Sequence, residues 1–289
     1  MLANDPLKKS GVSIAFGGGI KAVVMVCLMV AVFGSATIRG QSGTQDSNLT
    51  ALQRAIERQR TRLSSNDVEE RRDAVARLGA MKRLDSSRAA IAGLKDPDER
   101  VRAAAAHAVA AAPSDEAAQA IIPLLKDKKE FVRREAAHAL GKTRSRIAVS
   151  PLVESLRTDK EAGVRGAAAV ALGFIGDRFA SGALADVLAG KALGPKGKRE
   201  KDEFVLRSAA CSLGQLREAA AVPVLVEVLG DETSPADVRR EAAHALGLIG
   251  DPSSAGALRA VLGSPDPYLS RIADAALKQI TPAQAGNRL

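Results

Sequence analysis

Tryptophan is absent from this 289-residue chain, tyrosine occurs once (Tyr268), and aromatic residues amount to 2 % of it. That scarcity argues against single-stranded nucleic-acid recognition, which relies on aromatic platforms for stacking bases. Only two cysteines are present, Cys27 and Cys211, too few for a disulfide framework. No Gly-rich phosphate loop, nucleophile elbow or zinc-type Cys/His spacing occurs. No cofactor and no enzymatic activity are therefore expected. What the chain does contain is 46 % hydrophobic and 26 % charged residues, a folded composition. Alanine makes up roughly a fifth of it, which favours helix over strand.

The first forty residues differ from the rest. Lys8, Lys9 and Lys21 precede Ala22 to Gly34, a run without a polar or charged side chain. A basic segment, an apolar segment and the small residues Gly34, Ser35 and Ala36 describe a secretory signal, residues 1–36, or a membrane anchor over residues 20–38. Lysines ahead of the run place the remainder outside the cytoplasm in either case. This predicts an extracytoplasmic protein, periplasmic or held at a membrane. Residues 37–47 are polar and contain Gly and Ser, so they read as a tether.

From residue 48 the chain repeats. Val132–Gly141 and Val238–Gly247 are identical at ten consecutive positions. Weaker copies place Leu78, Val109, Leu140, Leu172, Leu213, Leu246 and Leu277 in one slot, separated by 31, 31, 32, 41, 33 and 31 residues. Such a period, with two short helices per unit, predicts an α-solenoid over residues 48–281, followed by a short tail, 282–289. Within a unit Val132, Ala136, Ala139 and Leu140 form the buried stripe of the second helix. Gly176 and Gly250 read as helix C-caps, and Asp96, Asp127, Asp159 and Ser264 as N-cap oxygens. The 41-residue spacing marks an insertion, residues 190–202, made basic by Lys191, Lys196, Lys198, Arg199 and Lys201. Its Gly194, Pro195 and Gly197 argue against helix there.

The pattern Val-Arg, then Ala-Ala, then Ala-Leu-Gly and Ile-Gly-Asp, clearest in Val164–Asp177 and Val238–Asp251, resembles HEAT repeats of the short type found in phycobilin lyases. The resemblance implies an all-α, right-handed solenoid of about seven helix pairs, with the second helices lining a concave face. It also implies that Asp96/Arg102, Asp127/Arg133 and Asp159/Arg165 form a structural ladder. Deoxyhypusine hydroxylase, a HEAT enzyme, holds an iron pair with His-Glu dipeptides in the second helix. The positions here resemble Arg134-Glu135 and Arg240-Glu241, and no His-Glu dipeptide occurs.

All three histidines, His107, His138 and His244, stand two places before the leucine slot, pointing away from the buried stripe. Glu135 and Glu241 precede two of them by three residues, a spacing that suits a solvated Glu–His pair. It also suits a metal carboxylate–histidine motif, but repeats three and six lie on the order of 30 Å apart when helices pack at 8–10 Å. The expected role is therefore a scaffold that binds another protein or peptide on its concave face. Arg134, Glu135, His138, Arg240, Glu241 and His244 are the first candidates, with His107, Lys196, Lys198, Arg199 and Lys201 next. Alternatives are a lyase-like or metal-dependent enzyme using the outward histidines, and polyanion binding through the insertion.

Overall fold

The computed structural model describes residues 49–280, apart from Ala192 and residues 195–197. The expected signal or anchor and tether (1–47) and the tail lie outside the described residues. Among the described residues no helix is long and apolar enough to cross a membrane.

Fourteen α-helices follow one another in seven pairs among the described residues: α1 Ala51–Arg62 with α2 Val68–Ala80, α3 Leu84–Ala90 with α4 Glu99–Ala110, α5 Asp115–Ile121 with α6 Glu130–Thr143, α7 Val149–Thr158 with α8 Ala162–Ile175, α9 Ser181–Leu188 with α10 Glu203–Leu216, α11 Val222–Gly230 with α12 Ala236–Ile249, and α13 Ala255–Ala260 with α14 Pro267–Ile280. The second helices stack in series, α2 on α4 through to α12 on α14, and each packs on the first helix of its own pair. The molecule is an α-solenoid. Its core is aliphatic, built from residues such as Val132, Ala136, Ala139 and Leu140, all fully buried.

Small residues let the second helices touch. A Cβ on Gly141 would stand 2.9 Å from the Ala171 Cα, and one on Gly214 would stand 2.8 Å from the Ala245 Cα. Gly79 against Ala108 and Gly247 against Ala276 repeat the arrangement. Between α8 and α10, Ser212 takes the alanine place and donates to the Ala169 carbonyl at 2.8 Å.

Gly176 and Gly250 end α8 and α12 in the left-handed region, φ 75° and 76°, as their positions in the repeat predict. Arg144 and Arg217 occupy the same cap at φ 52° and 53° after α6 and α10. The N-cap expectation needs correction. Asp127 and Asp159 sit two residues before the caps Lys129 and Glu161 and accept from their backbone N–H groups at 2.9 and 3.0 Å. Asp96 does the same for Asp98, which is the true N-cap of α4.

Those aspartates are occupied by arginines, in a register one repeat away from the expected one. Arg71 meets Asp96 (2.7 and 2.9 Å), Arg102 meets Asp127 (2.8 and 3.0 Å) and Arg133 meets Asp159 (2.6 and 3.0 Å). Each arginine reaches forward to the next repeat. Its third contact goes back to its own loop, as from Arg133 to the Asp127 carbonyl at 3.0 Å. The loop aspartate of the same repeat thus offers a main-chain oxygen, and its carboxylate serves the preceding arginine.

The insertion is not only a basic solvated loop. Leu193–Gly194 and Lys198–Arg199 pair as a two-residue antiparallel hairpin, and the chain then delivers Glu200 into the ladder. Arg165 meets it at 2.6 and 3.0 Å with both side chains buried. Leu206 holds the arginine slot of the next repeat, so the ladder stops there.

Candidate functional site

The outward side of the second helices carries most of the residues singled out from the sequence. On α4 and α6 they form one cluster around Glu135. His107 Nε2 lies 2.7 Å from Glu135 Oε2, Arg134 Nε donates to Glu135 Oε1 at 3.3 Å, and Lys142 Nζ stands 3.5 Å from His107 Nδ1. A histidine protonated at Nε2 and accepting at Nδ1 satisfies both neighbours. Desolvation pushes the Glu135 carboxyl up, but the bonds from His107 and Arg134 outweigh it and leave Glu135 below the usual carboxylate range. Burial holds the His138 imidazole below its ordinary value, against the attraction of Glu135. The expected Glu135–His138 pair is replaced by a bond across repeats, because His107 presents its ring to Glu135 from the preceding helix.

On α12 the same ten-residue stretch behaves differently. Glu241 Oε1 bonds His244 Nδ1 within the helix at 3.1 Å, as the spacing predicts. Cys211 occupies the preceding histidine slot; burial first, and then Glu241, push its thiol up to about 11. The thiol is therefore protonated at neutral pH and a poor nucleophile. Arg240 spans repeats, meeting Asp237 at 2.6 Å, Asp266 at 2.8 Å and the Tyr268 ring at 5.1 Å. It is a structural cation as much as a surface one.

Arg134 rests on the Phe131 ring, 5.6 Å from its centroid. In the insertion, Arg199 is exposed and lies against Gly190, and the Lys201 backbone N–H bonds Glu200 at 3.0 Å. Lys196 lies outside the described residues, and Lys198 is placed only as backbone in the hairpin. Sequence reading missed Arg207, Phe204, Tyr268 and Arg271 on the same face. The repeat register carries a signal for the aromatics: Phe131, Phe204 and Tyr268 each stand directly before the apolar anchor of their helix.

Residues 56–129, 87–173 and 196–285 match the HEAT-repeat family. The chain belongs to it. Mouse deoxyhypusine hydroxylase is 41 % identical over 64 residues, 22 % of this HEAT-repeat chain and 21 % of that protein. This chain thus matches about a fifth of the length of that curated relative. The Escherichia coli protein YibA shares the fold, with 20 % identity and a TM-score of 0.56 over 79 % of this chain and 81 % of that one. The complex of CpcE and CpcF of phycocyanin lyase from Nostoc is 21 % identical, with a TM-score of 0.47 over 87 % of this chain and 100 % of that one.

The relatives correct one expectation. The curated proteins that this chain matches are enzymes by name, so the inference from missing motifs to no enzymatic activity does not stand. The iron pair is a separate matter. Among the described residues no three His, Cys, Asp or Glu side chains converge to hold a metal. Glu135 is occupied by His107 and Arg134, and His244 by Glu241. The described residues around Glu135 and His244 do not by themselves form an iron-pair site.

Proposed function

We propose that this HEAT-repeat solenoid binds a protein partner along the outward face of its second helices, the concave face by family resemblance. One observation carries the reading. All five aromatic residues among residues 49–280 are on the surface while the core is filled by aliphatic side chains, and three of them, Phe131, Phe204 and Tyr268, stand in the first turns of second helices at 40–59 % exposure. A fold that needs no aromatic inside and keeps several outside supports recognition, because exposed aromatics are the usual anchors of protein interfaces.

The test is face-specific crosslinking. A photoreactive residue at His244 in the full chain should capture one partner from cell extract, and the same residue at Arg259, on α13, should not. Equal capture at both positions, or none at His244, would count against the reading.

The export reading rests on residues 1–36 alone, and fractionation of cells expressing the full chain tests it: protein confined to the cytosol would overturn it. A second functional reading, catalysis akin to that of the curated relatives, is favoured by the 41 % identity. Its test is metal content and turnover of the purified full chain. Protein without metal or activity would remove it.

A further inference from the structure

Within the proposed face, α10, α12 and α14 carry two open depressions. One depression of about 330 Å³ is lined by Asp202, Glu203, Phe204 and Arg207. A second, about 310 Å³, is lined by Arg207, Asp237, Arg240, Glu241, His244 and Ile272. They meet at Arg207. Phe204 lines the first, its ring laid over Gly166 of α8, and Tyr268 stands beside Arg240, which lines the second, with Arg240 and Arg271 at 5.1 and 5.7 Å from its ring.

The charges around these depressions are not equally available. Arg240 is neutralised by Asp237 and Asp266, and Glu241 is bonded to His244. Asp202 caps α10 by accepting from the Val205 N–H, and Glu203 lies in the first turn of that helix, where its dipole favours a carboxylate. Arg207 and Arg271 make no ion pair with a carboxylate among the described residues, and Arg271 lies 5.7 Å from the Tyr268 ring centroid. Both stand three places after an exposed aromatic, Phe204 and Tyr268.

We infer that the two depressions together take an extended, acidic segment of a partner protein, with two carboxylates on Arg207 and Arg271 and apolar side chains against Phe204 and Tyr268. This rests on the reading of the second-helix face as an interaction surface. The spacing follows from geometry. Arg207 and Arg271 lie two helix packings apart, ~16–20 Å at 8–10 Å each. An extended chain advances about 3.3 Å per residue, and alternate side chains share a side. The two acidic residues therefore lie about six apart. A nucleic acid fits less well, since its evenly charged backbone would run over Asp202, Glu203, Asp237 and Glu241.

The experiment selects random twelve-residue peptides displayed on phage against the immobilised full chain. Enriched peptides are then labelled with fluorescein and titrated by anisotropy. Acidic pairs about six apart should be enriched. Their Glu→Gln analogues should bind at least tenfold more weakly, and so should the parent peptides to the R207A/R271A variant at unchanged helicity. The Y268A variant reads the aromatic contact separately.

Gln analogues or R207A/R271A binding as the parents do would overturn this inference, as would enrichment of basic peptides or of none. A labelled single-stranded oligonucleotide that binds more tightly than every enriched peptide would overturn it in favour of nucleic acid. Partner capture at His244 that survives R207A/R271A would retain the interaction face and remove only this assignment. Loss of that capture in the parent chain would remove the face itself.

Discussion

Arg165 and Glu200 form the last rung of the ladder, joined by two hydrogen bonds of 2.6 and 3.0 Å although 35 residues separate them in the chain. The carboxylate comes from the insertion, so the rung ties that hairpin segment back to α8. Glu200 also accepts from the Lys201 and Asp202 backbone N–H groups, both at 3.0 Å, which orients the chain into the Asp202 cap of α10. Removing one member leaves the other buried and unpaired, at a cost of ~3–5 kcal/mol. Glu200→Ala should therefore lower the urea midpoint markedly, and Arg165→Leu combined with Glu200→Leu should recover part of the loss. A Glu200→Ala variant as stable as the parent would show the rung to be dispensable.

Acid should weaken the ladder from the carboxylate side. Desolvation raises Asp96, Asp127 and Glu200, but the opposed arginines and backbone N–H groups outweigh it and hold all three below their ordinary values. A carboxylate whose folded value is depressed stabilises the fold fully above its unfolded value and loses that contribution as pH falls through the folded one. Unfolded Asp and Glu titrate near ~4, so the ladder's contribution should be constant above about pH 5 and decline below about pH 4. Urea midpoints from pH 7 to pH 2, compared with those of Glu200→Gln, check the window. The variant should show a smaller acid decline.

Two backbone positions should respond to substitution in opposite senses. Gly141→Ala gains helix propensity, about 1 kcal/mol, but its Cβ would fall 2.9 Å from the Ala171 Cα. Overpacking typically costs ~1–3 kcal/mol, so this variant should be less stable. Arg217 holds a left-handed cap at φ 53°, where a side chain is disfavoured by ~1–2 kcal/mol. Arg217→Gly should raise stability by about 1 kcal/mol. Thermal melts of both variants give the signs directly.

Cys211 offers a chemical reading of the second-helix face. With its thiol pushed up to about 11 by burial and by Glu241, alkylation at pH 8 should be far slower than that of the unfolded chain. Glu241→Gln removes the second cause and should speed the reaction several-fold. Mass spectrometry of iodoacetamide-treated protein measures both; equal rates in parent and variant would dissociate Glu241 from the thiol.

The repeat length, the buried stripe and the glycine caps were legible because each depends on neighbours a few residues away. The contacts made by the two identical stretches were not. Arg133 enters the ladder through Asp159, whereas Arg239 donates to the Leu229 carbonyl at 3.1 Å. The carboxylate ahead of the second copy, Asp266, goes to Arg240 instead. Glu135 finds His107 in the preceding helix, whereas Cys211 stands there for Glu241, which turns to His244. Ten identical residues thus make different bonds because their partners belong to the repeats before and after. The within-repeat ladder is what the family resemblance implies; the arginine does bond its own loop, but through a main-chain oxygen.

The glycine contacts have a mechanical consequence. At Gly79, Gly141, Gly214 and Gly247 one second helix rests almost directly on the backbone of the next, and closely packed matter compresses little. At these joints the second helices therefore cannot be pushed closer together. Flexing that shortens the second-helix row is opposed at these joints, whereas flexing that shortens the first-helix row meets no such glycine contact among the described residues. Arg207 and Arg271 are carried by α10 and α14, so the Gly214 and Gly247 contacts set a lower limit on the separation of the two helices that present them.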